Sequence, residues 1–301
     1  MAAPSLWAEG ILQLLSKMNS FHMQGSSKAL CKPFYVAGQQ VGVVQPQLFP
    51  HLSKYPGVFQ LAPSGHVELG SQLSSYEQRS AALERVLADW REQKLFRCLS
   101  GWRDEKYEVM PRFCDTPLMN MERSATSLFG VKRYGVHING YVRRGDGGRA
   151  MWIGRRARHK QTYPGMLDNM VAGGLSVGLG VKETLVKECA EEACIPESIA
   201  ATAKPVGSVS YTYEDERGVF PECQFVYDLE LPADCVPEVG DGEVLEFYLW
   251  PLEQVKEAIA SSEFKPNSAI VVLDFLIRHG ALDADNERYY QQFTEGLHRE
   301  L

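Results

Sequence analysis

The chain of 301 residues lacks any run of about eighteen apolar residues, so no membrane-spanning helix is expected. It has no surplus of positive charge either. Its 31 Lys and Arg stand against 38 Asp and Glu, a net charge of −7, which argues against nucleic acid as the main partner. A small phosphorylated ligand needs only local basic groups and is not excluded. No Cys-x-x-Cys pair occurs among the seven cysteines. Zinc spacing is therefore missing, and the odd count points to free thiols in a reducing cytosol. Residues 1–21 are mildly amphipathic but contain no Arg and include Glu9. That favours the cytoplasm over a cleaved mitochondrial or plastid signal. Repeats and low-complexity tracts are also absent, and the sequence carries no signal for an oligomeric state.

What is present is an ordinary globular composition, 45% hydrophobic and 23% charged, long enough for two domains with their own cores. Residues 1–125 read as a small α+β unit. Helices are predicted over residues 6–18 and 76–93, the second with Ala82, Val86 and Trp90 at helical spacing. Hairpins are predicted for residues 34–44 and 58–69, the latter across Pro63-Ser64-Gly65, and a strand for 105–109. Residues 116–127 read as a connection. From 126 to 301, strands are expected at 135–142, 150–154, 207–213, 224–231 and 246–249. Helices are expected at 181–193, 252–259 and 268–278. Strand–helix alternation with antiparallel hairpins implies a mixed sheet between helices, an α/β/α sandwich.

The most informative segment is Lys187-Glu188-Cys189-Ala190-Glu191-Glu192. At about 100° per residue its three glutamates fall within roughly 100° of one helix face. Leu185, Val186, Cys189, Ala190 and Ala193 occupy the adjoining arc and read as the buried stripe. Like charges at this spacing destabilise a helix by a few tenths of a kcal/mol per pair. A divalent cation reverses the sign, since hard oxygen ligands suit Mg²⁺, with Mn²⁺ as a substitute. Taken alone, the three glutamates read more simply as a solvated acidic face. Glu183 stands four residues before Lys187, the favourable direction for a surface ion pair.

The order Val171-Ala172-Gly173-Gly174, a loop, then this helix resembles the Nudix box of the Nudix hydrolases. That pattern runs Gly, five residues, Glu, seven residues, Arg-Glu-apolar-any-Glu-Glu-any-Gly-apolar. Here Lys187 stands for the Arg, Cys194 for the closing Gly, and the early Glu falls on Leu179 or Gly180. Cys98-Leu99-Ser100-Gly101-Trp102-Arg103-Asp104, preceded by Ala88-Asp89-Trp90-Arg91, is similar to the domain ahead of Nudix domains linked to thiamine pyrophosphokinase in fungi and in plant relatives. Tyr163-Pro164-Gly165-Met166-Leu167-Asp168-Asn169 resembles the same subfamily.

The resemblance implies an α/β/α Nudix domain and a Mg²⁺-dependent hydrolase of a small-molecule diphosphate. Glu188, Glu191 and Glu192, with a carbonyl of Gly173 or Ala172, are the implied metal ligands, and Lys187 orients Glu188. A distal-loop carboxylate is expected as ligand or base, Glu243 first and Glu222 second, while Glu246 is read as support for Lys187. Among Arg155, Arg156, Arg158 and Lys160, the subfamily favours Arg156 and Lys160 as a diphosphate clamp; a solvated loop is the other reading. Asp168 and Asn169 either bond a polar ring substituent or cap a turn. Tyr211, Tyr213 and Phe220 either stack on a heterocycle or belong to the core, and His137 reads as core. The implied substrates are thiamine diphosphate and especially its oxidised analogues. Oxidised purine nucleoside diphosphates such as 8-oxo-dGDP are the alternative enzyme reading, and a non-catalytic binding module is the alternative class.

Overall fold

A computed structural model describes residues 5–63 and 65–301. Residues 1–4 of the amphipathic N-terminus and Ser64 of the second predicted hairpin turn lie outside the described residues. Ser5 starts α1 (Leu6–Met18) by accepting a hydrogen bond from the Ala8 N–H at 3.1 Å. The predicted first hairpin is β1 (Lys32–Val36) with β2 (Gln39–Val44). After a short α2 (Phe49–Leu52), β3 (Phe59–Leu61) pairs with β4 (Val67–Leu69). Parallel pairing of β1 with β4 makes one sheet of order β2-β1-β4-β3. α3 (Tyr76–Glu92) begins in a capping box of Ser75 and Gln78 and buries Ala82, Val86 and Trp90, as its periodicity predicts. The predicted connection at 116–127 holds more structure than expected. Residues 119–122 form β6 (Met119–Glu122), antiparallel to β5 (Lys106–Val109).

The second half carries a seven-stranded mixed sheet. Its path is β11 (Lys204–Asp215), β12 (Gly218–Glu230), β7 (Arg133–Arg143), β8 (Arg149–Arg156) and β13 (Val244–Pro251). β9 (Leu167–Asn169) adds to β8 and β10 (Val171–Gly174) to β7; only β12 with β7 is parallel. α4 (Val181–Ala193) and the short α5 (Glu197–Ala200) cover one face, through a core of Val136, Ile138, Leu185 and Cys189. The other face is covered by α6 (Leu252–Ile259), α7 (Pro266–Arg278) and α8 (Tyr290–Gly296). This is the expected sandwich, with β9, β10, α5 and α8 added to the elements read from sequence.

α1 is held by this second half. Its Ala8, Ile11, Leu15 and Met18 enter the same buried cluster as Val209, Val272 and Phe293, and Asn19 Nδ2 donates to the Gly296 carbonyl at 2.9 Å. The chain thus crosses from one core to the other before β1 begins. Because Ile11 is fully buried, Ile11→Ala should lower stability by about 2–5 kcal/mol. Urea unfolding followed by tryptophan fluorescence measures this, and a loss under about 1 kcal/mol would mean that α1 does not pack there.

Candidate active site

The acidic helix begins where the sequence places it, at Val181, but its buried face takes in Thr184 and departs from the predicted stripe at Ala190 and Glu192. Ala190 is exposed, and Glu192 is buried in its stead, at 8% relative exposure. Glu188 is 15% and Glu191 49% exposed, so the three carboxylates descend from solvent to core along one helix. Glu192 accepts from the Ala172 N–H at 3.2 Å, which ties α4 to β10. Gly173 lies over Glu188 so closely that a methyl group there would overlap the carboxyl group. A side chain there would force Glu188 to move from its present position, which gives the first glycine of the box a steric reason.

The electrostatics are those of crowded carboxylates. Burial raises Glu192 well above the ordinary carboxylate range, and the charges of Glu188 and Asp168 push the same way. Burial also raises Glu188, against the opposing charge of Lys187. The Lys187 ammonium lies 3.4 Å from Glu188 Oε1 and 2.7 Å from Glu191 Oε2. Glu183 does not pair with Lys187 as expected; it closes its own helix by accepting from the Gly180 N–H at 2.8 Å. Glu246 does not reach Lys187 either, and bonds the Tyr248 hydroxyl. Cys194, in place of the closing glycine, is the C-cap and takes a left-handed conformation with φ 52°.

The helix's last carbonyls, which no intrahelical N–H can satisfy, bring in the distal loop. Glu191 and Glu192 carbonyls accept from Asp241 and Gly240 N–H at 2.8 and 3.3 Å. Glu243 follows directly and ion-pairs with Lys160. Burial acts to raise Glu243, but the Lys160 hydrogen bond and charge win and hold it low. Glu222, the second choice, lies on β12 and is taken by Arg133 and by the Tyr211 hydroxyl at 2.7 Å.

These groups line one polar cleft of about 1050 Å³, at the upper end for small-ligand sites. Gly173, Lys187, Glu188, Glu191, Glu192 and Glu243 lie on it together with Arg156 and Lys160. Asp168 and Asn169 do not line it. Asp168 is buried, paired with Lys265 at 2.9 Å and Arg156 at 2.8 Å, and accepts from Ser268. Burial works to raise its pKa, yet the Lys265 and Arg156 charges hold it far below the carboxylate range. Asn169 bonds His137 Nδ1 and Asn139 Oδ1, both at 2.8 Å. The two residues therefore hold the cleft floor and do not read a ligand's ring. Arg156 is similarly occupied by Asp168 and by the Thr162 and Tyr163 carbonyls. Arg155 bonds the Gly165 carbonyl at 3.0 Å, and Arg158 is exposed. Tyr211, Tyr213 and Phe220 all line the cleft; Tyr211 and Phe220 are buried, and the Phe220 ring is covered by Tyr213, stacked at 4.5 Å, and by the guanidiniums of Arg133 and Arg217.

Sequence reasoning missed Lys265 and Arg133, and for the first half it offers only adjacency, as a lid over the pocket, without naming the residues it brings to the cleft. Ser100, Arg103, Glu105, Tyr107 and Arg123 stand on its wall. Ser176 Oγ donates to Glu105 at 2.8 Å and the Val177 N–H to the Lys106 carbonyl at 3.1 Å, which docks the box loop on β5. Tyr107 packs on Gly174 where any side chain would collide. The clue in the sequence was the Cys98–Asp104 motif, noted only as a resemblance.

The chain matches the NUDIX domain over residues 133–269 and a domain of unknown function (DUF4743) over residues 10–133. It is 39% identical over 277 residues to Nudix hydrolase 20, chloroplastic, of Arabidopsis thaliana, spanning 89% of this chain and 73% of that protein. It is 40% identical to Nudix hydrolase 24, chloroplastic, of the same plant, over 88% of this chain and 73% of that protein. An uncharacterized protein of Saccharomyces cerevisiae is 37% identical over 81% of this chain and 74% of its own length. Among solved structures, a Caenorhabditis elegans Ap4A hydrolase is 12% identical with a TM-score of 0.38, covering 50% of this chain and 99% of that one. The fold and the box thus define a phosphoanhydride hydrolase class. The chain belongs to the Nudix hydrolases and is an enzyme of that family.

His137 supplies a pH test of the floor network. Burial, reinforced by the Lys265 charge, lowers its pKa from 6.5 to about 4. The fold therefore prefers the neutral imidazole. That preference is fully present above the unfolded value, and stability declines as pH falls from about 6.5 toward 4, by up to about 3 kcal/mol. His137→Gln should remove this limb of the urea stability profile. An unchanged limb in the variant would show that another group causes it.

Proposed function

We propose that the chain uses Glu188, Glu191, Glu192 and a carbonyl of Gly173 or Ala172 to hold a divalent metal, Mg²⁺ by preference, and cleaves the diphosphate of thiamine diphosphate-type compounds. The oxidised analogues, oxo- and oxythiamine diphosphate, are the favoured substrates, giving monophosphate and phosphate. The observation that carries the reading is the buried Glu192 beside Glu188 on the cleft wall. Two carboxyls raised by burial and by neighbouring carboxylate charges, Glu188 on Glu192 and Glu191 on Glu188, are a cost that a cation would lift. Their all-oxygen donor set suits a hard ion. Among the described residues no three ligating side chains already converge in a cage; Glu191 instead lies on Lys187 and must turn from it.

When bound, a divalent ion there lowers the pKa of a coordinated water and neutralises charge on phosphoryl oxygens. The chain's own residues do the rest. Glu243, kept ionised by Lys160, is the carboxylate able to accept a proton from the attacking water. Lys187 contacts both Glu188 and Glu191 and offsets part of their mutual repulsion. Lys265 and Arg156 lock Asp168, which fixes β9 behind the box strand. The diphosphate specificity rests on the subfamily resemblance of residues 98–109 and 163–189, and 8-oxo-dGDP-type nucleotides remain the competing substrate. The seven free cysteines support a reducing compartment such as the cytosol. Two relatives carry "chloroplastic" in their names, and that address is theirs.

Glu192→Gln should lower metal-dependent phosphate release by about 100-fold or more while the fold survives, because glutamine is isosteric and its side-chain oxygen can still accept from the Ala172 N–H. Glu191→Gln should act similarly. Initial rates on oxythiamine diphosphate, thiamine diphosphate and 8-oxo-dGDP, each well below saturation, decide the substrate class. Near wild-type turnover in either variant sinks the metal assignment, and faster cleavage of 8-oxo-dGDP sinks the thiamine reading.

A further inference from the structure

We infer that Arg103, from the N-terminal domain of unknown function, binds the substrate's diphosphate across the cleft from the box glutamates. The inference deepens the proposed function and rests on it for the nature of the ligand. Nine Arg and Lys side chains line the cleft. Six partnerships have been described or follow from the same floor: Lys187 with Glu188 and Glu191, Lys160 with Glu243, Arg156 and Lys265 with Asp168, and Arg133 with Glu222. The rest of the wall is paired too, Arg97 with Glu216, Arg123 with Glu105, and Arg217 with Asp215. Arg103 alone among them has no salt bridge and no side-chain hydrogen bond within the described residues. A half-buried guanidinium with five unmet donors is costly without a partner.

Its surroundings sharpen the point. Arg123 and Arg133 act on it as like charges, and with its burial they lower its pKa, against Glu105 and Tyr107. Their carboxylates balance them, so one uncompensated positive charge is left where the two domains meet. The chain around Arg103 is held firmly. Its own N–H donates to Glu122 Oε1 at 3.1 Å, and Trp102 Nε1 donates to Asp104 Oδ1 at 2.7 Å. Trp102 lies under the Arg91 guanidinium at 4.8 Å, and Asp104 takes a left-handed φ of 56°. A corner held by these bonds presents the Arg103 cation at the cleft edge. A guanidinium fork matches the paired oxygens of a phosphoryl group. The three box carboxylates bind no anion themselves, so the ligand's charge has to be met by groups such as this one.

The test uses the full chain and methylenediphosphonate, a diphosphate that cannot be hydrolysed, titrated with Mg²⁺ present by calorimetry. Arg103→Ala should weaken its binding about tenfold. Arg103→Lys, which keeps charge but not the fork, should lie between. Arg143→Ala, an exposed arginine paired with Glu230, controls for the change in net charge and should bind as wild type. In turnover assays the Arg103 variants should raise KM more than they lower kcat. A loss in Arg103→Ala of under threefold, with the variant folded by circular dichroism, overturns the inference; a larger loss supports it. If Arg103→Ala fails to fold, Arg103→Lys is read by the same threshold set at twofold. Wild-type binding that depends on Arg103, with no diphosphate hydrolysed, rejects the catalytic reading but upholds the phosphate-binding arginine. No diphosphonate binding by wild type overturns both.

Discussion

The structure is organised around a carboxylate that folding alone would not choose. Glu192 is buried on the inner side of α4 with one N–H donor, from Ala172, and with Glu188 and Asp168 adding negative potential. A buried carboxyl costs several kcal/mol when ionised and unpaired. The surrounding geometry keeps it there. Gly173 yields its side chain so that β10 can lie against Glu188. The spent carbonyls at the end of α4 hold the 238–243 loop in reach. Below, Asp168 is paired with Arg156 and Lys265, which holds it in place while its charge still acts on Glu192. Strain of this kind is expected where a site awaits a ligand.

The cleft is a product of both halves of the chain. β5 and the box loop share hydrogen bonds, Tyr107 fills the space over Gly174, and Arg123 and Glu105 sit beside Ser176. α1 crosses the other way and buries its apolar stripe against α7 and α8. Each domain therefore borrows an element from the other's side, and the relative placement of Arg103 and α4 is set by packed contacts instead of by a linker. That is the condition under which a residue of one domain can serve chemistry in the other.

The parts of this fold with strong periodicity were legible in the sequence. The spans of α1, α4 and α6 agree with their predicted residues, and α3 differs by one residue, because capping residues and apolar spacing mark them locally. β10 was read as part of a motif but not as a strand. Val-Ala-Gly-Gly has little strand propensity and pairs only because β7 offers it an edge. β6 lay hidden in what reads as a connection for the same reason. In the site, the acidic helix and Glu243 were visible because they lie close in sequence or in a family pattern. Asp168 was misread because its partner Lys265 is 97 residues away. A local reading assigns such a residue to solvent or ligand when its charge is in fact spent on partners distant in sequence. Arg103, Arg123 and Arg133 suffered the same fate, each unremarkable alone and informative only as neighbours.

The replacement of the box arginine by Lys187 also follows from this arrangement. Its ammonium touches Glu188 and Glu191 together, and both Lys187 and Glu191 are nearly half exposed, at 45% and 49%. An exposed pair of this type is worth only about 0.3–0.5 kcal/mol. Glu191 can therefore leave Lys187 for a divalent ion at little cost, whereas a bidentate arginine fork would hold it more tightly. Glu192 needs no such release, because it is already buried facing the cleft. The acidic face thus divides into a fixed inner carboxylate and a mobile outer one. A single lysine keeps the outer carboxylate from repelling its neighbours in the meantime.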